Sequence, residues 1–383
     1  MLAAGLVAVL LLGSAYGYLL WRAFDESLQR YPVTVAPVSA TQWSVPSGMN
    51  LLLVGTDDRS RLTDEEVAKY STGRTESTLT DTIMVLHIPP SDAPAGTPVS
   101  LVSIPRDSWV DIPGYGMDKI NAAFGLGGGG AEGTSLLAET VTAVTGMPIH
   151  HTLVVDFASF ARITEAIGPV EVCLKEPTSD PATGLALPAG PQVLEPEDAL
   201  AFVRQRQNLP NGDLDRVKRQ QAYLAAAAHA IRDNLLSPSY GMDLATTVGE
   251  NLFADEAFRR SAQAAAVANA AVRSLGTTVR TTTLPVADIN ATIGEQSVVL
   301  LDEPAIPGFV ASLDLPDPTE TTTETPTESA TETPRETVSP SSEPSDVGSP
   351  DASPAPTATP APSEGADGSA AESPWVDDPS CVY

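Results

Sequence analysis

The sequence is short of cysteine, of aromatic side chains and of positive charge. Two cysteines among 383 residues cannot form a disulfide framework, and they lack the clustered spacing of a metal site. They would form one bridge in an oxidising compartment and remain two free thiols in a reducing one. Only 21 Lys and Arg oppose 49 Asp and Glu, and the net charge of −28 argues against a nucleic-acid-binding protein.

The usual catalytic and nucleotide-binding patterns are missing as well. No P-loop and no GxGxxG pattern occurs, and the glycine run 127–130 lacks the Lys and Ser/Thr of a phosphate-binding loop. We interpret that run as a flexible turn. The four histidines form no Ser-His-Asp or Cys-His arrangement, and we interpret them as packed or exposed side chains; they are His87, His150, His151 and His229.

The first 21 residues contain no charged side chain, and Arg22 ends this run. A helix of that length crosses a hydrocarbon core of about 30 Å. Tyr16, Tyr18 and Trp21 cluster at one end, where interfacial aromatics are found. A cleaved signal peptide is the alternative. We predict a single transmembrane anchor over 1–22 in the cell membrane, with an extracytoplasmic body.

Composition divides the rest of the chain into four parts. A polar spacer with several prolines covers 23–47, and apolar runs typical of a folded domain cover 48–315. The segment 316–379 is rich in Pro, Thr, Glu and Ser and has 14 acidic residues against one Arg. Such a segment cannot bury enough surface to offset its conformational entropy, so it is predicted to be a disordered linker. The end, 380–383, carries the second cysteine.

Apolar runs and periodicity predict alternating strands and helices in the folded domain. The predicted strands cover 50–54, 82–88, 99–104, 151–155, 170–174 and 277–285. The predicted helices cover 133–144, 156–167, 197–203, 214–236 and 242–274. Strands mixed with helices of this length indicate an α/β (α+β) layered sandwich, with a central mixed β-sheet flanked by helices.

One stretch of this acidic chain, 202–221, is strongly basic. Its five basic residues are Arg204, Arg206, Arg216, Lys218 and Arg219. A Pro-Asn-Gly turn lets its two halves fold back toward one point. Arginine forks match phosphate oxygens, so the stretch predicts a site for a polyanion, with a solvated basic surface as the alternative. Helical spacing places Arg216 and Gln220 on one face and Lys218 on another.

Charged side chains also stand at the ends of the first three predicted strands, where α/β ligand sites gather. These residues, with two that follow them before a short helix, are Asp57, Asp58, Asp81, Arg106, Lys119 and Asn121. Two carboxylates beside a phosphate suit Mg²⁺, a hard cation that takes oxygen ligands. Taken singly, Asp57 and Asp81 are also ordinary turn formers or caps, and Arg106 could simply pair with Asp107.

Several blocks of the sequence, in this order, resemble the LytR-CpsA-Psr family, and the likeness covers 50–236. They are NLLLVGTD, DTIMVLHI, SIPRDSWVDIPGYG, KINAAF, VVDF, GPVEVCL and ALAFVRQRQNLPNGDLDRVKRQQ. The resemblance implies a membrane-anchored transferase that moves a glycopolymer from a polyprenyl pyrophosphate carrier to an envelope acceptor. The acceptor would be the muramic acid 6-hydroxyl of peptidoglycan or a surface glycoprotein. Polyprenyl phosphate would be released, with pyrophosphatase side activity.

The resemblance also implies roles for individual residues. The pyrophosphate would be bound by Arg106, Arg204, Arg206, Arg216, Gln220, Lys119 and Asn121. Mg²⁺, or Mn²⁺ in its place, would be held by Asp57 and Asp81, with Asp58 competing with Asp57 because the interval 62–79 is long. Asp81 would join the four arginines as a catalytic residue. Cys173 and Cys381 resemble a paired disulfide of actinobacterial members, which would return the tail to the domain.

Two further expectations concern the lipid and the alternative function. A polyprenyl chain needs an apolar slot, which the segments 136–147 and 223–231 could line, with plain helix packing as the alternative. The alternative to an enzyme is a non-catalytic envelope protein that binds lipid-linked polymer or acts as an envelope regulator.

Overall fold

The computed structural model describes residues 2–33, 48–70, 79–90, 92–181, 183–205, 208–210, 213–259, 279–316 and 381–382. The strands are β1 (Gln29–Tyr31), β2 (Met49–Thr56), β3 (Thr80–Ile88), β4 (Ser100–Ser103), β5 (Trp109–Ile112), β6 (Gly116–Lys119), β7 (His151–Val155), β8 (Val170–Leu174), β9 (Thr178–Asp180), β10 (Leu185–Leu187), β11 (Gly190–Leu194), β12 (Phe253–Asp255), β13 (Arg280–Thr283), β14 (Val286–Ile293) and β15 (Gln296–Leu301). The helices are α1 (Leu2–Ser27), α2 (Asp64–Lys69), α3 (Ala122–Leu126), α4 (Gly130–Thr145), α5 (Phe157–Ile167), α6 (Pro196–Arg204), α7 (Asp213–Asn234), α8 (Pro238–Asn251) and α9 (Ile306–Ser312).

A seven-stranded mixed sheet in the order β1-β12-β7-β2-β3-β4-β13 forms the centre of the fold. Strand β2 pairs in parallel with β7 and antiparallel with β3, which in turn pairs antiparallel with β4. Because β2 is buried on both faces, its sequence is a continuous apolar run that includes Leu51, Leu52 and Val54. The predicted central mixed sheet flanked by helices is confirmed.

Several predicted elements agree closely with the structure because local signals mark their ends. Strands β7 and β8 have the predicted bounds. Helix α5 begins after Asp156, whose Oδ1 accepts a hydrogen bond from the Ser159 backbone N at 2.7 Å, as an N-cap does. The helix ends before Gly168, as predicted.

The prediction of one helix over 242–274 is wrong in its described part. Helix α8 ends at Asn251, and the chain then forms β12 between β1 and β7. The Asp255 carboxylate holds this strand by accepting hydrogen bonds from the backbone N of Thr152 and of Phe258. Sheet pairing therefore overrides the helical pattern of the sequence. The remainder, 260–278, lies outside the described residues.

The N-terminal helix α1 packs against α8. The Tyr16 hydroxyl donates a hydrogen bond to the Leu235 carbonyl at 2.7 Å. A Cβ at Gly249 would stand 2.7 Å from the Phe24 carbonyl oxygen, so only glycine allows this close approach. The predicted spacer contributes the end of α1 and β1, and 34–47 lie outside the described residues. Within the described part of the chain, no helix has the length and apolar character needed to cross a membrane.

The two segments considered for a lipid slot pack in different hydrophobic clusters. Leu137 and Val141 of α4 pack against the central sheet. Tyr223 and Ala227 of α7 pack in a second cluster with β8 and α6. This arrangement is what helix packing, the alternative interpretation, would produce.

The C-terminal end lies against strand β8. The sulfur atoms of Cys173 and Cys381, separated by 208 positions, are bonded to each other. Val382 continues the contact as a strand would, because its backbone N donates to the Cys173 carbonyl at 3.0 Å and its carbonyl accepts from the Lys175 N at 2.8 Å. The preceding segment 317–380 lies outside the described residues.

We predict that Cys381→Ser lowers the free energy of unfolding by about 2–4 kcal/mol, because the bridge restricts the unfolded chain. Denaturant unfolding under oxidising conditions measures this difference. Reductant should bring the wild type down to the variant's value and leave the variant unchanged. Non-reducing peptide mapping that finds two free thiols in the wild type would contradict the pairing.

Candidate functional site

Four strand ends meet at one edge of the central sheet. Thr56 at the end of β2 pairs with Thr80 at the start of β3, and Ser103 at the end of β4 pairs with Met84 of β3. The end of β7 joins them, since Val155 pairs with Gly55. Asp81 lies at the start of β3, and the loops that leave this edge carry Asp57, Arg106 and Asp156, so charged residues of distant segments gather there.

Asp81 is the point where two of the predicted arginines meet. Arg106 Nη1 donates to Asp81 Oδ1 at 2.5 Å, and Arg216 Nη2 donates to the Asp81 backbone carbonyl at 3.3 Å. Arg216 comes from the first turns of α7 and is only 2% exposed. The fold therefore brings Arg106 and Arg216, which are distant in the sequence, into contact with Asp81, as the predicted polyanion site requires.

A β-hairpin holds Arg106 in place. The strands β5 and β6 return the chain so that Lys119 pairs with Trp109. Lys119 Nζ then lies 3.1 Å from Asp107 Oδ1, and Asp107 Oδ2 lies 3.5 Å from Arg106 Nε. The buried Asn121 donates its backbone N–H to the Arg106 carbonyl at 3.2 Å. Lys119 and Asn121 are thus positioned around Arg106, and Arg106 pairs with both Asp81 and Asp107.

Arg204 stands on an aromatic platform that it shares with a residue the sequence reasoning missed. Its guanidinium carbon lies 4.8 Å from the centre of the Phe157 ring, and that of Arg59 lies 5.4 Å from the same ring. Arg59 also donates two hydrogen bonds to Asp57, at 2.8 and 2.7 Å. Its place two residues after Asp57 was the available signal. Arg206 lies outside the described residues.

Gln220 connects the two helices of the basic stretch. Its Nε2 donates to the Val203 carbonyl at 3.5 Å, one residue before Arg204 at the end of α6. Because Gln220 and Arg216 share a face of α7, this face joins the Asp81 contacts to the end of α6. The predicted common face is observed.

The two remaining basic residues of the stretch have other environments. The Lys218 side chain is 52% exposed and pairs with Asp215, so it is the solvated residue of the group. Arg219 is 1% exposed, and its Nη1 donates to Gln205 Oε1 at 2.6 Å. Its guanidinium lies over the Phe202 ring, and burial lowers the pKa of Arg219 to about 10. Arg219 therefore stabilises the contact between α6 and α7.

The aspartates at the edge offer oxygen ligands of the kind Mg²⁺ takes. Asp57 and Asp81 each face an arginine, whereas Asp58 accepts a hydrogen bond from the Ser60 backbone N at 2.9 Å and lines a nearby cavity. No three His, Cys, Asp or Glu side chains cluster as metal ligands among the residues that the structure describes. Mg²⁺ is commonly held by one or two carboxylates together with phosphate oxygens and water, so this donor set fits it.

Three of the histidines lie away from this edge and have structural partners. His87 contacts Asn50 Oδ1 at 2.7 Å and Asp314 at 3.0 Å, at the opposite end of β2 and β3. His150 Nδ1 accepts from the Asn50 backbone N at 2.9 Å, and burial lowers the pKa of His150 to about 4. His151 is fully buried, and its Nδ1 lies 3.0 Å from Asp255 Oδ2. Their interpretation as packed side chains agrees with these contacts.

Comparison with known proteins finds one matching family model, described as the LytR_cpsA_psr family, over residues 26–307. A probable cell wall biosynthesis protein, LcpB of Corynebacterium glutamicum, is 42% identical over 226 residues, which cover 59% of this chain and 49% of that protein. The polyisoprenyl-teichoic acid–peptidoglycan teichoic acid transferase TagU of Enterococcus faecalis is 33% identical over 49% of this chain and 58% of its own length.

Among solved structures, the LytR-Csp2A-Psr enzyme from Actinomyces oris has the same fold. The TM-score is 0.52 at 22% identity, with 75% of this chain and 95% of that chain covered. The chain spans 49% and 58% of the lengths of the two curated relatives.

We predict that Arg219→Ala lowers the free energy of unfolding by about 2–3 kcal/mol, because it leaves the buried Gln205 carbonyl without its charged donor. Arg232→Ala, on the same helix, is the control, because its pair with Asp233 is exposed on both sides and should contribute less than about 0.5 kcal/mol. Thermal and denaturant unfolding measure both. Equal effects of the two substitutions would show that Arg219 has no special structural role.

Proposed function

The chain belongs to the LytR-CpsA-Psr family, and from this we propose that it is a phosphotransferase of the cell envelope. It moves a glycopolymer from a polyprenyl pyrophosphate carrier to an envelope acceptor, either the muramic acid 6-hydroxyl of peptidoglycan or a surface glycoprotein. The names of its relatives support this proposal, since one is named a probable cell wall biosynthesis protein and another a teichoic acid transferase.

The observation that carries the proposal is the meeting of Arg106 and Arg216 at Asp81. Asp81 holds both guanidinium groups, that of the almost fully buried Arg216 through its backbone carbonyl and that of Arg106 through its carboxylate. Arginine forks bind phosphate oxygens through paired hydrogen bonds. A pyrophosphate placed at this edge would receive donors from Arg106 and Arg216, with Arg204 and Arg59 supplying positive charge from the Phe157 platform.

The proposed reaction is an in-line displacement at the sugar-proximal phosphorus. The acceptor hydroxyl oxygen forms a bond to that phosphorus, and the bond to the bridging oxygen breaks. Polyprenyl phosphate leaves with the electron pair, and the hydroxyl proton passes to Asp81 or, through water, to Asp57. Negative charge grows on the leaving phosphate, so the arginines accelerate the reaction mainly by electrostatic stabilisation. Water in place of the acceptor would give pyrophosphatase side activity.

We further propose that Asp57 and Asp81 hold Mg²⁺, or Mn²⁺ in its place, beside the pyrophosphate. When bound, this cation would neutralise charge on the phosphate oxygens. The two carboxylates would then face the cation as well as Arg59 and Arg106, with which they pair. We also propose that the N-terminal segment anchors the protein in the cell membrane, which keeps the body near its lipid-linked substrate.

We predict that Arg106→Ala and Arg204→Ala each lower polymer transfer by about a hundredfold or more, because each removes charge stabilisation from the reacting phosphate. Transfer to peptidoglycan fragments is measured with a lipid-linked donor. Melting temperatures should stay near that of the wild type. Lys218→Ala, which removes an exposed charge from the same stretch, should retain transfer. Full transfer by both arginine variants would contradict the site.

A second assay, of polyprenyl phosphate release, separates an enzyme from a binding protein. Incubation of the purified protein with a polyprenyl pyrophosphate and Mg²⁺ should release polyprenyl phosphate. Tight binding of the pyrophosphate without turnover, with or without an acceptor, would favour a non-catalytic protein that holds lipid-linked polymer.

Metal dependence gives an independent prediction. Chelation by EDTA should abolish transfer, and either Mg²⁺ or Mn²⁺ should restore it, since both are taken by oxygen ligands. Asp81→Asn should raise the Mg²⁺ concentration needed for half-maximal transfer by about tenfold or more, because it removes one ligand charge. Unchanged transfer after chelation would contradict a metal-assisted reaction.

A further inference from the structure

A cavity of about 300 Å³ adjoins the arginine site, and no role has yet been assigned to it. It lies between the loop after β2, the start of α4, the end of β7 and the strands β1 and β12. The side chains that define its chemistry are Tyr31, Asp58, Arg61, Phe124, Asp156 and Phe253. Ser60 and Arg61 are exposed at its rim, so a ligand can enter there. Its volume falls at the lower end of the range of about 300–1,000 Å³ for small-ligand sites.

One wall of the cavity is aromatic and fixed. The rings of Tyr31 and Phe253 stack with their centres 4.8 Å apart and 26° between their planes. The two residues lie on β1 and β12, the outermost two strands on one side of the central sheet, which pair in parallel. The Arg61 guanidinium lies over the Phe253 ring, 4.9 Å from its centre, so the two rings and the charged group form one stacked cluster in this wall.

A second wall of the cavity is polar, and hydrogen bonds hold its side chains in place. Arg61 Nη1 donates to Asp156 Oδ2 at 2.8 Å and to Ser159 Oγ at 3.1 Å. The Asp156 Oδ1 accepts the N-cap hydrogen bond of α5, and Asp58 Oδ1 accepts from the Ser60 N. Each carboxylate oxygen can accept a second hydrogen bond, so both aspartates can still receive donors from a ligand.

The glycine run forms a third wall. Gly128, Gly129 and Gly130 have φ values of 91, 71 and 51°, a conformation that side chains disfavour. All three line the cavity, and the 16-residue helix α4 begins at Gly130. Without side chains, the run lets a ligand approach the backbone and the first N–H groups of α4.

Residues that line the cavity directly adjoin those of the arginine site. The Asp58 carbonyl accepts a hydrogen bond from the Phe157 N at 3.2 Å, and Phe157 carries Arg204 and Arg59 on its ring. Asp156, in the cavity wall, directly precedes Phe157. A group bound against Asp156 in the cavity would therefore lie next to Phe157, the ring that Arg204 and Arg59 contact in the proposed pyrophosphate site.

We propose that this cavity binds one pyranose ring of the substrate glycan next to the reacting phosphate, an assignment that rests on the proposed transferase function. A pyranose ring has C–H groups that suit the aromatic side chains of Tyr31 and Phe253 in the lining, and hydroxyls that suit fixed carboxylate and guanidinium groups. Two carboxylates against one arginine give the polar wall a net negative charge, which disfavours a phosphate there. The charged wall likewise disfavours an isoprenyl chain.

The test fills the cavity from its rim. Ser60→Tyr places a large side chain at the cavity mouth, and Arg61→Met removes a polar group from the wall without adding bulk. Glu65→Tyr, on the exposed face of α2 and outside the cavity, is the matched control. Binding is measured calorimetrically for three probes: a short isoprenyl pyrophosphate, the same molecule carrying a disaccharide, and a free peptidoglycan disaccharide.

We expect Ser60→Tyr to weaken the binding of a sugar-bearing probe by about tenfold or more, relative to its effect on binding of the sugar-free pyrophosphate. Arg61→Met should weaken binding of the same probe. A selective loss for the pyrophosphate-linked disaccharide assigns the ring to the donor, and a loss for the free disaccharide assigns it to the acceptor. Unchanged binding of both sugar probes in Ser60→Tyr overturns the proposal. Failure of the wild type to bind either pyrophosphate would count against the transferase function, and the free disaccharide would still test the cavity.

Discussion

The site depends on the contact of two arginines with Asp81. Arg216 is almost completely removed from water, and such a charge is tolerated only when anionic or carbonyl oxygens compensate it. Asp81 supplies one such oxygen to Arg216 from its backbone and another to Arg106 from its side chain. One residue at the start of β3 thereby fixes two guanidinium groups that lie 110 positions apart in the sequence (216 − 106).

The mixed sheet makes this contact possible by bringing the ends of β2, β4 and β7 and the start of β3 to one edge. The opposite edge carries the network of His87, Asn50 and Asp314. The proposed site and this histidine network thus lie at opposite ends of the same strands. On the site's edge, the same separation recurs within α7, where Arg216 faces Asp81 and Arg219 holds Gln205 between the helices. Three positions of a helix thus separate the arginine of the proposed site from one that stabilises the helix contact.

Features encoded by contiguous residues could be predicted from the sequence. The apolar run of β2, the N-cap at Asp156 and the shared face of Arg216 and Gln220 are local patterns, and the structure contains all three. Strand β12 could not be predicted because its pairing partners are distant in sequence, and the short hairpin of β5 and β6 has too little periodicity to detect. The cavity beside the site is lined by five separate segments of the chain, so no local sequence pattern predicts it.

The central claim is that the Asp81 edge recognises two linked phosphates through arginine forks. The most direct measurement compares, by calorimetry, the affinities of the purified protein and of Arg216→Lys for a short isoprenyl pyrophosphate and the corresponding monophosphate. The wild type should bind the pyrophosphate about tenfold or more tightly than the monophosphate. Arg216→Lys should lose most of that preference, since lysine keeps the charge but not the fork. Equal affinities of the wild type for the two ligands would contradict the account.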